Sequence, residues 1–100
     1  KWIRSKKKLQ AGETITYVFE EPVACKTIHV PTGYAHIPFY GVSDGYVEYS
    51  YDGVNFIKGE DFHQYHAYIQ NPEAPVKAVR IVITAPNDGW SCCFQNLKIE

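Results

Sequence analysis

The chain has 100 residues, a formal net charge of −1 and a hydrophobic fraction of 45%. This length allows one domain, residues 1–100, with a single core. The near-neutral charge excludes a general nucleic-acid binder, which needs a basic field. Because no apolar run approaches the ~20 residues that cross a bilayer, insertion into a membrane is not expected.

Two strands are predicted in the first third of the chain. Residues 13–19 alternate between apolar and polar side chains, and residues 20–22 end this strand. Residues 25–30 form the second strand, which Pro31 closes. The apolar face of the first strand consists of Ile15, Tyr17 and Phe19.

A long connection, residues 32–44, follows the second strand. Loops of this length without secondary structure are usually either functional or disordered. The connection carries several aromatic side chains, which argues against disorder, because disordered segments are poor in such residues. It is therefore a candidate functional loop.

Residues 45–58 predict a β-hairpin. Apolar and aromatic residues fill its first strand, Asp52-Gly53 forms the turn, and Phe56 starts the return strand. The Asp-Gly pair suits a two-residue type I′ turn, because both central residues need φ > 0, which glycine adopts freely and aspartate tolerates.

The second half of the chain predicts three further strands. A strand around residues 63–69 is followed by a proline-rich break at 71–75. The β-branched segment 76–84 fits a central strand that is covered on both faces. Residues 91–99 return as the last strand, after a turn at 86–89, and the whole pattern predicts an antiparallel all-β sandwich. One face of the last strand comprises Cys93, Leu97 and Ile99.

Neither the cysteines nor the histidines follow a recognised reactive or metal-binding pattern. A disulfide from Cys25 to Cys92 or Cys93 is geometrically possible, and buried free thiols are the alternative. His63 and His66 would face opposite sides of a strand, so we expect no metal between them.

Glycoside hydrolysis would need two carboxylates ~5–10 Å apart in a cleft. A sandwich of 100 residues offers little cleft to isolate such a pair, so we expect no independent enzymatic activity. The available carboxylates are Asp44, Glu48, Asp61 and Asp88.

Four segments together resemble a known family. The hairpin motif at 47–56, Val-Glu-Tyr-Ser-x-Asp-Gly-x-x-Phe, is the most specific. Trp2-x-x-Ser5, the strand at 76–81 and the closing strand at 95–99 add to it. These segments resemble the coagulation factor V/VIII type C (discoidin-like) domains and the family 32 carbohydrate-binding modules. They are most similar to the C-terminal module of bacterial family 20 glycoside hydrolases, the β-hexosaminidases.

The resemblance implies a galactose-binding-like jelly roll in an extracytoplasmic protein. Family members usually carry a segment before the Trp with an Asp-Gly-Asp-x-x-Thr loop that helps to hold calcium. This chain begins at Lys1-Trp2. We therefore expect no calcium or other cofactor on its own residues, and a module that is a fragment of a larger protein and lacks its first strand.

Family members bind ligands in loops at one end of the sandwich, where rings stack on sugar faces and polar side chains bind hydroxyl groups. The loops at 34–40 and 87–90 have this composition. A place in the core is the alternative for Trp90, and packing on the sandwich rim is the alternative for the rings of the first loop. The candidate ligand-binding residues are Trp90, Tyr34, His36, Tyr40, Asn87 and Asp88.

Three functions are compatible with the resemblance, and the third, a discoidin-type module that binds a protein or membrane surface, ranks last because the loops are polar and aromatic and lack apolar spikes or basic rims. The first is a non-catalytic accessory module of a β-hexosaminidase-like glycoside hydrolase, which binds galactose- or N-acetylhexosamine-type glycans weakly. The second is a structural module that packs on the catalytic domain of the parent enzyme and binds no sugar, because Tyr and Trp also suit interfaces. The expected partners are thus a glycan and a catalytic domain.

Overall fold

The computed structural model describes residues 2–5, 8–33, 40–87, 89 and 91–100. Within these ranges the chain forms antiparallel strands and no α-helix, so the predicted all-β antiparallel sandwich is confirmed. None of the described segments is a helix that is long and apolar enough to cross a membrane.

The described residues form nine strands. In chain order they are β1 (Trp2–Arg4), β2 (Thr14–Val23), β3 (Thr27–Pro31), β4 (Gly45–Ser50), β5 (Ile57–Asp61), β6 (His66–Gln70), β7 (Val76–Ile83), β8 (Cys93–Gln95) and β9 (Lys98–Ile99).

The first sheet has the strand order β2-β7-β4-β5, and every pair in it is antiparallel. β7 is a central strand, as its β-branched composition predicts. Its inner side chains are buried, whereas Arg80 on the outer face is only half-buried. There Arg80 Nε donates a hydrogen bond of 2.7 Å to Glu48 Oε1, and the guanidinium lies 3.8 Å from the centre of the Phe56 ring. At Arg80 the outside of β7 is therefore covered by an ion pair and an aromatic ring.

The second sheet has the order β6-β3-β9, and β1 pairs with β8 beside it. The β1-β8 pair is connected to this sheet through the end of β3. Thr32 forms a bridge with Phe94, and the Gly33 N–H donates a hydrogen bond of 2.8 Å to the Cys93 carbonyl. The chain from β8 to β9 thus runs along β3, as the predicted strand 91–99 requires, but it is interrupted at residues 96–97.

The core lies between the two sheets. From the first sheet, Ile15, Val47 and Ile81 share one row of the register. From the second, Val30 and Ile69 join the same cluster of buried side chains. Each such aliphatic side chain stabilises the fold by roughly 1.5–3 kcal/mol when it is fully buried. The predicted apolar face of the first long strand is confirmed, because its three residues pack against this cluster.

Several local predictions are wrong, among them the start of the strand around 63–69, which begins only at His66. The hairpin exists, but its turn is not type I′, because only Gly53 has φ > 0 and residues 51–56 all lie outside the strands. The return strand therefore starts at Ile57 and not at Phe56. β2 continues through residues 20–23, because Val23 pairs with Val76 after a shift in register. β3 includes Pro31, which pairs with His66.

The connections fall at two opposite ends of the sandwich. At one end, which we call the turn end, lie residues 24–26, 51–56 and 71–75. The other end, the loop end, is where these connections begin and end: 5–13, 32–44, 62–65 and 84–92. The register fixes this grouping, because Gly45 at the start of β4 pairs with Ile83 at the end of β7. The two loops that carry the predicted site therefore leave the sheets at the same end.

Candidate functional site

Most of the predicted ligand-binding residues lie outside the described residues: Tyr34, His36, Asp88 and Trp90. Their part in a binding site stays a prediction. Tyr40 and Asn87 are described, and they flank the two segments in question. Tyr40 is half-buried at the point where the connection 32–44 returns to the sandwich.

Asn87 fixes the backbone of the loop end. Its side chain is only 2% exposed. Its Nδ2 donates hydrogen bonds to the carbonyls of Gly89 (3.1 Å) and Ser91 (2.8 Å). Its Oδ1 accepts a hydrogen bond of 3.1 Å from the Leu9 N–H. Because both amide hydrogens are used inside the protein, this conformation gives Asn87 a positioning role and leaves no donor of its amide for a sugar hydroxyl.

Thr32 connects two neighbouring segments of the loop end. Its buried Oγ1 donates a hydrogen bond of 2.6 Å to the Tyr65 carbonyl and accepts one of 2.8 Å from the Val42 N–H. Gly41 packs directly against this contact, because a Cβ there would lie 2.6 Å from Thr32 Oγ1 and 2.7 Å from Tyr65 Cβ. The end of the connection 32–44 is therefore fixed against the turn at 62–65.

The turn at 62–65 has an unusual backbone. Gln64 and Tyr65 have φ angles of 50° and 73°, in the left-handed region that non-glycine residues rarely adopt. The turn is closed by hydrogen bonds between His63 and His66, from N–H to carbonyl in both directions, at 2.7 and 3.1 Å. This strained geometry directs the chain past the ends of β4 and β5.

A pocket of about 400 Å³ opens beside this turn, at the loop end of the first sheet. The backbone around it is fixed by two hydrogen bonds, from Phe62 N–H to the Gly45 carbonyl (2.8 Å) and from Thr84 N–H to the Asp44 carbonyl (3.2 Å). The lining residues are Asp44, Gly45, Tyr46, Asp61, Phe62, His63 and Thr84.

The residues that line the pocket include two aromatic residues, two aspartates, a histidine and a threonine. Lys58 extends along the Tyr46 ring, with Nζ 4.7 Å from the ring centre, and forms an ion pair of 3.1 Å with Asp61 Oδ1. The Asp61 side chain is 77% exposed, so this pair is screened by solvent. Within the described part of the chain, no cation forms an ion pair with Asp44.

The sequence indicated Asp44 and Asp61 only as available carboxylates and did not group them with the aromatic ring of Tyr46. A signal was nevertheless present. Asp44 directly precedes the predicted hairpin strand and Tyr46 is the second residue of that strand, so the two are close in sequence. The register then brings Asp61 opposite Tyr46, and this non-local pairing could not be read from the sequence.

The two histidines considered at 63 and 66 do not lie on one strand, because they pair with each other as a β-bridge across the turn at 62–65. His66 Nδ1 lies 2.7 Å from His29 Nε2, on the outer face of the second sheet, and the Tyr68 ring stacks on His29 at 4.6 Å. Burial lowers the pKa of both imidazoles, and the nearby Lys98 adds to the effect. No group of three or more His, Cys, Asp or Glu side chains suited to a metal ion occurs among the described residues.

The three cysteines are free thiols, so the alternative of a disulfide from Cys25 is wrong. Cys92 and Cys93 are buried, as predicted, and Cys25 is half-buried. Burial raises the pKa of the Cys92 thiol to about 12, and the adjacent Cys93 adds to the shift. Because the thiolate is the nucleophile, a thiol with this pKa is inert at neutral pH.

No protein-family model matches this chain, and no curated protein matches it either. The function is therefore inferred from the geometry of the loop end and from the motifs of the sequence.

Proposed function

We propose that this chain is a non-catalytic accessory module of a glycoside hydrolase of the β-hexosaminidase type and that it binds glycans weakly at its loop end. The observation that supports this proposal is the pocket beside Tyr46, which offers a ring together with Asp44, Asp61, His63 and Thr84. The jelly-roll motifs of the sequence and the extracytoplasmic location that they imply belong to the same proposal.

The chemistry of the pocket suits a sugar. A pyranose ring has C–H groups that pack on an aromatic face, and its hydroxyl groups donate hydrogen bonds to carboxylates. The connections that carry the predicted rings at 34–40 and Trp90 begin and end at this same end of the sheets, and in the proposal these rings extend the surface for further sugar units. A shallow, solvent-exposed site of this kind binds with a Kd on the order of a millimolar, which is about 4 kcal/mol.

The proposal is tested by calorimetric titration with galactose and N-acetylglucosamine. We expect weak saturable binding, and we expect Tyr46→Ala to weaken it by about tenfold, because one aromatic contact contributes roughly 1 kcal/mol or more. Tyr68→Ala is the matched control, because Tyr68 is a partly exposed tyrosine on the other sheet. Equal effects of the two variants, or no binding to either sugar, would refute the sugar site.

The second candidate function is a packing module without a sugar site. It is favoured by Val18, which is 67% exposed on β2 and would suit contact with another domain. In this case removal of the module lowers the unfolding temperature of the parent enzyme. Val18→Ser in the intact enzyme should lower that temperature by part of the same amount. If both forms unfold at the same temperature, the packing function is excluded.

A further inference from the structure

The pocket beside Tyr46 has an uneven charge. It contains two carboxylates, from Asp44 and Asp61, and none of its lining residues is a lysine or an arginine. The nearby cation is Lys58, which is paired with Asp61. Within the described residues, Asp44 thus contributes a negative charge that no ion pair neutralises.

This charge discriminates between sugars that have the same ring. A hydroxyl group donates one hydrogen bond to a carboxylate, whereas a protonated amine donates up to three and adds a positive charge. Acetylation of that amine removes the charge, and a uronic acid brings a second negative charge, which a carboxylate repels. The lining therefore favours a cationic sugar over a neutral sugar and disfavours an anionic one.

We propose that the pocket selects a hexosamine with a free, protonated amine, and that Asp44 determines this specificity. The inference rests on the proposed function and narrows its ligand class. In the complex, the ammonium group lies against the Asp44 carboxylate, and the sugar ring packs beside Tyr46, where it displaces Lys58 Nζ from its place 4.7 Å from the centre of that ring. Thr84 and His63 provide further polar groups on the rim for the remaining hydroxyls.

The test compares glucosamine, glucose, N-acetylglucosamine and ethanolamine by titration at neutral pH and low salt. We expect glucosamine to bind about threefold to fivefold more tightly than glucose, which corresponds to the ~1 kcal/mol of an exposed ion pair. This preference should fall at high salt, because exposed charges are screened. Ethanolamine carries the charge without the ring and should bind more weakly than glucosamine.

Two variants assign the preference to its residue. Asp44→Asn should remove the preference for glucosamine and leave the affinity for glucose almost unchanged. Glu73→Gln is the matched control, because it removes one exposed carboxylate at the turn end and should leave the preference intact. If Asp44→Asn fails to fold, Asp61→Asn, which also removes one charge from the pocket, should reduce the preference in the same direction.

The outcomes separate this inference from the proposed function. If all three sugars bind equally well, the specificity is refuted and the glycan-binding module stands. If ethanolamine binds as tightly as glucosamine, the pocket is a simple cation site and the inference is also refuted. If no sugar binds, the proposed function itself fails.

Discussion

The turn at 51–56 and the loop end of the sandwich differ in the side-chain hydrogen bonds that hold them. At the turn end, Asp52 Oδ1 accepts hydrogen bonds of 2.8 Å from the N–H groups of Val54 and Asn55, so the contacts are local in sequence. At the loop end, the side-chain contacts join segments that are far apart, such as Leu9 with Asn87 and Thr32 with Tyr65. The loop end is therefore held together by contacts between distant segments, whereas the turn at 51–56 is formed mainly by its own residues. One longer contact at the turn end is the hydrogen bond of 3.0 Å from the Glu73 N–H to the Tyr51 hydroxyl.

This difference indicates where a pocket can form. A local turn fills its own interior with its own side chains. Segments that come together from distant parts of the chain leave a space between them, and the pocket beside Tyr46 is such a space. The variants below test this contrast from the largest expected effect to the smallest.

Asn87→Ala should have the largest effect. It leaves the buried groups that now bond to Asn87 without partners, namely the Leu9 N–H and the carbonyls of Gly89 and Ser91. We expect a loss of about 3 kcal/mol in the free energy of unfolding, measured by urea denaturation. Asn55→Ala at the turn end removes an exposed amide and should cost within about 0.5 kcal/mol. Equal losses would contradict the contrast between the two ends.

Thr32→Val should have an intermediate effect. The substitution keeps the shape of the side chain but removes both hydrogen bonds of Oγ1, to the Tyr65 carbonyl and from the Val42 N–H. We expect a loss of about 2 kcal/mol in unfolding free energy. Glycan affinity should fall as well, because the turn at 62–65 carries the pocket residue His63. Thr16→Val on the exposed face of β2 is the control, and it should change neither quantity.

Asp52→Asn should have the smallest effect, confined to the turn end. Hydrogen bonds from the backbone of Asn55 and Val54, and from the side chains of Asn55 and Ser50, hold the pKa of the Asp52 carboxyl well below its usual range. The ionised carboxylate therefore stabilises the fold at any pH above the pKa of the unfolded chain, and this contribution is lost as the pH falls through the lower, folded pKa.

The measurement is the unfolding temperature of Asp52→Asn and of the unchanged protein across a pH series. The difference between the two should be largest near neutral pH and should shrink in acid, while glycan affinity stays the same. A difference that grows in acid, or a change in affinity, would show that Asp52 acts in some other way.

Local chemistry was sufficient to predict the sandwich and most of the strands, but it did not predict β1, and the strand predicted around residues 63–69 begins only at His66. The alternation at 13–19 and the β-branched run at 76–84 identified β2 and β7, because side-chain period and burial are coupled in a strand. The hairpin was predicted, but its turn type was not, because the Asp52 carboxylate binds the backbone of the following residues and Gly53 alone takes φ > 0.

The candidate site could be predicted only in part. The sequence placed two loops at one end, and the register of Gly45 with Ile83 agrees. It did not group Tyr46 with Asp61, because this pairing depends on a register that shifts between Tyr46 and Glu48. The sequence also indicated Asn87 as a ligand-binding residue, whereas its side-chain amide forms buried hydrogen bonds with three other residues.

The central claim, that the loop end binds glycans, is tested most directly by amide chemical-shift mapping during titration with a hexosamine and an N-acetylhexosamine. We predict saturable shifts at Tyr46, at residues 61–63 and at Thr84, and in the connections 32–44 and 84–92. The amide signals of residues 51–56 and 71–75 at the turn end should keep their chemical shifts. The absence of any shift, or the largest shifts at the turn end, would contradict the account.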